Sequence, residues 1–254
     1  DFVRGHAAIS VQKKLSSVAP PGYTPVPAGP SPNPGPLFVI LDYTNSGIVQ
    51  SDNLAITDAL PPGWLYVPGS GRSSVTGAAI LTDAAGGDGP SISYSAPTTS
   101  VSGTVAATIT VAPSATSGNV YFQITIAPNL AVTTSANQPV TTNTATYSYS
   151  YSFFNSMTMM NQTVTVPSSS TNSVLYSVLQ APGVVANGSA TTTGVSDSEP
   201  VTVANGAPGQ TISWVDYIWN TGNGPDTFDI AVLNTPLNGS ACNQANNAAL
   251  GQCT

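Results

Sequence analysis

The sequence predicts an all-β protein of tandem immunoglobulin-like β-sandwich modules, and three observations carry that expectation. Apolar and polar residues alternate strictly through several short runs. Proline- and glycine-dense stretches separate those runs. A pattern near the start of the chain is echoed near its end. Period-two alternation of β-branched and aromatic residues marks half-buried strands, and many short strands with such breaks suit a sandwich.

In chain order, Ile9, Val11, Lys13 and Leu15 share one face of the first run. Val105, Ala107, Ile109 and Val111 do the same in TVAATITV, and Val120, Phe122, Ile124 and Ile126 in NVYFQITIA. Tyr147, Tyr149, Tyr151 and Phe153 form an aromatic stripe with serines opposite, read as one strand's inward face; Val174, Tyr176 and Val178 follow. Helical spacing is absent apart from a weak trace in CNQANNAALGQC. Between the strands lie Pro20–Pro36, Thr82–Pro90 and Asn205–Gln210, too rich in Pro and Gly for regular structure. The first of these reads as a stiff surface crossing.

The echo pairs LDYTNSG (from Leu41) with DYIWNTG (from Asp216). Aligning Asn45 with Asn220 places Gly47 on Gly222, Tyr43 on Ile218 and Val39 on Trp214. After a one-residue gap, Leu54 falls on Ile230, Ile56 on Val232 and Asp58 on Asn234. Two strands joined at an Asn-x-Gly corner explain the match, because Asn tolerates and Gly freely takes left-handed backbone. Asp216 departs from it, falling where Leu41 faces the core. The expected modules are residues 1–179 and a second, partial one over 180–254, incomplete in itself or completed by another chain.

Composition narrows the function. Only 6% of the 254 residues are charged, against roughly a quarter in ordinary soluble domains. The cations are Arg4, Lys13, Lys14 and Arg72 against eleven acids, a net charge of −7 that excludes nucleic-acid binding. No apolar run approaches the roughly 18 residues of a membrane span. A neutral, hydroxyl-rich surface points to the cell exterior, with any leader removed ahead of Asp1. In that oxidising setting Cys242 and Cys253 are expected to form a local disulfide, worth about 2–3 kcal/mol.

The residues for catalysis are missing. His6 is the single histidine, near the start of the chain and without a nucleophile in context. Most of the acids sit in predicted turns and no pair of them has a context suggesting burial, so no catalytic residue and no enzyme activity is expected. No cofactor is expected either; the nearest approach to a metal site is calcium at Asp83 and Asp88 in DAAGGDG, which turn composition explains equally well. Asn161, Asn187 and Asn238 head N-x-Ser/Thr sequons and are candidate glycosylation sites.

YTNSG followed by ITDALPPGWLYVPGS resembles the tandem surface-protein repeat catalogued as domain of unknown function eleven. The family's parts fall on Ile9 to Lys14, Tyr43 to Gly47, Ile56 to Gly63 and Asn143 to Tyr147, so the resemblance covers roughly residues 7–150. The second copy matches as far as Gly239, with ITDALPPG altered to VLNTPLNG. The resemblance implies immunoglobulin-like sandwiches on a bacterial or archaeal surface and brings no catalytic motif. Some surface sandwiches similar to this one join a first-strand Lys to a last-strand Asn by an amide, promoted by a buried acid. Lys13 with Asn143 and Asp42 or Asp58 would make up such a set; the simpler expectation is that Lys13 lies at the rim and snorkels to water.

The function these features predict is a non-enzymatic structural subunit of an extracellular filament, sheath or surface layer. Its partner would be a second copy of itself, joined by strand pairing and apolar contacts. Ile9, Val11 and Leu15 are the candidate donor strand, or else the first strand of their own module. The apolar FFNSMTMM stretch, with Phe154, Met157, Met159 and Met160, is the candidate packing surface between subunits. The alternative is an adhesin or carbohydrate-binding module recognising cell-surface glycans.

Overall fold

A computed structural model of the chain describes residues 5–133, 141–198, 207, 209–211, 213 and 215–230. The chain divides into two compact units, Asp1–Gln180 and Ala181–Thr254. Among the described residues there is no α-helix, and no helix long and apolar enough to cross a membrane.

The first unit is built around two five-stranded antiparallel sheets. One runs in the order β1 (Ile9–Ser16), β2 (Leu37–Asn45), β8 (Thr116–Ile126), β4 (Trp64–Tyr66), with β5 (Arg72–Ser73) also on β8. The other runs β12 (Met160–Ser170), β11 (Thr146–Asn155), β3 (Ser51–Ala59), β7 (Thr104–Val111), β6 (Ile92–Ser95). Two short pairs complete the unit: β10 (Thr141–Asn143) antiparallel to β13 (Val174–Tyr176), and β14 (Val178–Leu179) parallel to β9 (Val132–Thr133).

Alternation decides which side chains meet between the sheets. Val39, Leu41 and Tyr43 of β2, Leu54 and Ile56 of β3, Val105, Ala107, Ile109 and Val111 of β7, and Val120, Phe122, Ile124 and Ile126 of β8 are buried in one cluster. Each large side chain there contributes roughly 1.5–3 kcal/mol by leaving water. Trp64, the largest fully buried side chain among the described residues, satisfies its indole by donating to Thr141 Oγ1 at 2.7 Å.

The proline-rich crossing lies over the end of the unit. Gly29 donates its N–H to Ser177 and accepts from Leu179 N–H, while Tyr176 Oη donates to the Ser31 carbonyl. The stretch is thus a clasp as well as a spacer.

The Asn-x-Gly echo is the same corner twice. Asn45 Oδ1 accepts from Gly47 N–H at 3.0 Å and its Nδ2 donates to the Val49 carbonyl at 2.9 Å. Asn220 Oδ1 accepts from Gly222 N–H at 3.0 Å and its Nδ2 donates to the Gly224 carbonyl at 2.8 Å. In the second unit β15 (Val184–Asn187) pairs with β16 (Tyr217–Asn220), Val184 opposite Asn220, as Ile9 is opposite Asn45 in the first. Glycine is required at both corners by the neighbouring strand. A Cβ on Gly47 would lie 2.2 Å from the His6 carbonyl oxygen, and one on Gly222 would lie 2.7 Å from that of Ala181. Asp216 is exposed just ahead of β16, so it has no core position to disturb.

The donor-strand expectation for Ile9, Val11 and Leu15 is corrected. These residues are buried in their own unit, in β1 paired along its length with β2. The alternating face that would serve a neighbour is consumed at home.

The FFNSMTMM stretch is a hairpin tip. The β11–β3 ladder runs from Thr146 opposite Thr57 to Ser150 opposite Asn53, whereas β11 and β12 stay paired out to Asn155 and Met160. Beyond Ser150 the two strands form a ribbon. Phe154, Met157, Met159 and Met160 at its end are 58%, 86%, 73% and 67% exposed.

Candidate functional site

Lys13 sits on β1 among Val11, Leu15 and the β2 residues, and alternation turns its side chain into the core. It is 1% exposed, so it does not snorkel. Asp58, at the inward-facing end of the Leu54, Ile56, Asp58 series on β3, is wholly buried in the opposite sheet. The two meet across the sandwich, Lys13 Nζ donating to Asp58 Oδ2 at 2.5 Å. Asp42, the other acid considered for this role, alternates outward and pairs with Lys14 at 2.7 Å on the surface.

Strand register brings Asn143 to the same neighbourhood. Asn143 ends β10 and is 3% exposed. Three residues on, β11 starts its ladder with Thr146 opposite Thr57, next to Asp58. The third wall is the turn between β12 and β13. Thr171 exchanges bonds with Ala145, donating its N–H to the Ala145 carbonyl at 2.9 Å and accepting from Ala145 N–H on Oγ1 at 3.1 Å. Asn172 bonds the backbone of Lys13, and Val174 pairs with Asn143.

Two polar atoms here lack partners. Among the described residues, Asp58 Oδ1 and Asn143 Nδ2 are the buried side-chain polar atoms without a hydrogen bond. Leaving a buried donor or acceptor unpaired costs about 1–3 kcal/mol each, and native interiors contain few such atoms. Burial lowers the Lys13 pKa below its ordinary 10.5, and the Asp58 charge and hydrogen bond only partly oppose that. A buried lysine biased towards the neutral amine is a nucleophile. It faces the Asp58 carboxylate, and the strand carrying the unpaired Asn143 carboxamide is tied to its backbone through Asn172 to Val174.

The remaining candidates are placed differently. Asp83 accepts from Tyr66 Oη at 2.5 Å and from Gly69 N–H at 2.7 Å; Asp88 accepts from Thr82 N–H at 2.6 Å and Tyr94 N–H at 2.9 Å. All four carboxylate oxygens are thus engaged in pinning loops to the sheet. Among the described residues no group of three His, Cys, Asp or Glu could hold a metal ion. The Tyr66 hydroxyl, buried and donating to Asp83, has its pKa pushed up to about 12.

Asn161 is exposed on β12. Asn187 is not available to a glycan in the folded chain. It is buried, its Nδ2 donates to the Thr192 and Gly194 carbonyls, and its Oδ1 accepts from Ser189 N–H and Trp219 Nε1. Asn238, Cys242 and Cys253 lie outside the described residues. Asn172 and Thr171 went unnoticed in the sequence, where nothing distinguishes them from the many other Asn and Thr.

No family model matches the chain, and no curated protein matches it. Among solved structures it is similar to the major pilin subunit BcpA of Bacillus cereus (TM-score 0.43, 11% identity, over 71% of this chain and 42% of that one). It is also similar to the full-length major pilin SpaD of Corynebacterium diphtheriae (TM-score 0.40, 11% identity, 73% and 39%). A collagen-binding domain from a Staphylococcus aureus adhesin aligns with a TM-score of 0.35 at 13% identity over 66% and 96%. The chain spans less than half the length of the two pilins.

Proposed function

We propose that the chain is a non-enzymatic structural subunit of an extracellular assembly, whose first sandwich is locked by an amide between Lys13 and Asn143. One observation carries this reading: a buried Lys13–Asp58 pair with Asp58 Oδ1 unpaired, and a buried, unpaired Asn143 Nδ2 on the strand that Asn172 to Val174 ties to Lys13. Amide formation accounts for the Asn143 atom, because Nδ2 departs, and the new amide N–H keeps a donor on Asp58 in place of the ammonium.

The chemistry balances without a co-reactant. Asp58 takes a proton from the Lys13 ammonium, and the neutral Nζ attacks Asn143 Cγ. In the tetrahedral intermediate Asp58 passes protons from the attacking nitrogen to the leaving nitrogen. The Cγ–Nδ2 bond breaks, the nitrogen leaves as ammonium, and Asp58 returns to carboxylate.

Such a bond ties the first strand of the sandwich to the segment leading into β11, closing a loop of some 130 residues. A surface subunit under tension gains from that arrangement, because force on the chain bypasses the strands between Lys13 and Asn143. In the second unit the strand pairing places Gly188 where Lys13 stands, and the sequence echo places Asn234 where Asp58 stands, so the lock belongs to the first unit. The exposed Phe154–Met160 hairpin tip supplies an apolar surface for a second copy. The surface-repeat resemblance and the sparsely charged composition support an extracellular setting.

Single-molecule pulling from the two ends of the chain tests this function. The segment between Lys13 and Asn143 is expected to contribute no extension at forces that unfold unlocked sandwiches. Release of its full contour length would contradict the proposal.

A further inference from the structure

Resting on the amide reading above, we infer that Asn172 is a positioning residue for the reaction. Its carboxamide acts as a substitute strand, holding the Lys13 backbone against the segment that carries Asn143.

At Lys13, the outer edge of β1 is met by a single side chain. Asn172 Oδ1 accepts from Lys13 N–H at 2.9 Å, and Asn172 Nδ2 donates to the Lys13 carbonyl at 2.8 Å. A side-chain amide therefore makes both bonds that a neighbouring peptide group would make, across 159 positions of sequence. The residues around it hold the other partner. Thr171 is bonded to Ala145 through its backbone and its hydroxyl, and Val174 is paired with Asn143. Four consecutive residues, Thr171 to Val174, thus grip the nucleophile's backbone on one side and the electrophile's strand on the other.

This matters because the reaction joins groups from different elements. Lys13 is in one sheet, Asp58 in the other, and Asn143 belongs to neither five-stranded sheet. A displacement of about 1 Å between reacting groups can cost about a hundredfold in rate. Asn172 is itself exposed, so its truncation opens no cavity, and its effect falls on alignment.

The test follows bond formation in the full chain, made by cell-free synthesis and sampled over time by intact mass after translation is stopped. Wild type is expected to lose one ammonia with first-order kinetics. Asn172→Ala is expected to do so at least tenfold more slowly, and Asn172→Asp, which keeps the acceptor for Lys13 N–H and loses the donor, at an intermediate rate. A merely structural role would lower the melting temperature of Asn172→Ala in an unreactive Asn143→Ala background and leave the rate in folded chains unchanged. Equal rates for wild type and both variants would overturn the positioning role while leaving the amide standing. A wild type that never loses ammonia would overturn the amide reading itself, and this inference with it.

Discussion

Replacing Asp58 by alanine gives the sharpest view of the buried pair, provided that the covalent and ionic contributions are separated. The measurement therefore belongs in an Asn143→Ala background, where no amide can form. There Lys13 keeps its position in the core but loses the carboxylate 2.5 Å away. Removing one member of a buried pair costs about 3–5 kcal/mol, because the other charge stays desolvated and uncompensated. Against a total stability of about 5–15 kcal/mol that is a large fraction. At about 2–4 °C per kcal/mol for a unit of this size, it lowers the melting temperature by roughly 6–20 °C. Replacing both members, Lys13→Met with Asp58→Leu, should restore most of the loss, since apolar side chains of similar volume substitute for a buried pair at little cost. Thermal unfolding followed by circular dichroism reads all three variants. If Asp58→Ala alone melts within experimental error of its background, Lys13 is not a desolvated charge held by Asp58, and the chemistry argued from that pair fails.

Other consequences can be measured separately. In otherwise wild-type protein, Asn143→Ala should lose about 5 kcal/mol from the missing closure of the long loop, by the chain-entropy estimate used for cross-links; denaturant titration would show it. Asn45→Ala should cost several kcal/mol, as it orphans the Ala8 and Gly47 N–H groups and leaves the Val49 and Ala112 carbonyls each short of a donor; the same titration reads it. Tyr66 makes the first unit sensitive to alkali. Its folded pKa of about 12 lies above the ordinary 10.0, so its contribution is complete below pH 10 and is lost as pH rises through 12. Two units amount to about 3 kcal/mol, and melting temperature against pH, with tyrosinate absorbance, tests the sign. Phe154→Ser combined with Met159→Ser should leave the melting temperature nearly unchanged, within about 0.5 kcal/mol, and reduce self-association in sedimentation.

Much of the sandwich was legible because alternation is a local signal. The inward face of Ile9, Val11, Lys13 and Leu15 predicts the burial found, whereas Asp42 and Asp58 stay open in the sequence and only the structure shows Asp58 to be the buried acid. Snorkelling of Lys13 was the wrong expectation, because its strand lies on the sandwich interior opposite an acid that one strand's periodicity does not reveal. The Asn-x-Gly corner was legible as a repeat, and its two local hydrogen bonds recur in both units.

What escaped the sequence depends on long-range pairing. Asn172 meets Lys13 through a turn whose composition is unremarkable, so no local signal marks it. A sequon at Asn187 reads as surface, yet its carboxamide is consumed by the loop that follows and by the Trp219 indole. The donor-strand reading of β1 and the intramodular one share the same alternating residues, and only the pairing with β2 separates them.

The measurement closest to the central claim is the mass of the intact folded chain, followed by peptide mapping. The account predicts a protein lighter than its sequence by one ammonia, with the peptides containing Lys13 and Asn143 recovered as one branched species. An unmodified mass, with those two peptides running separately, would contradict it.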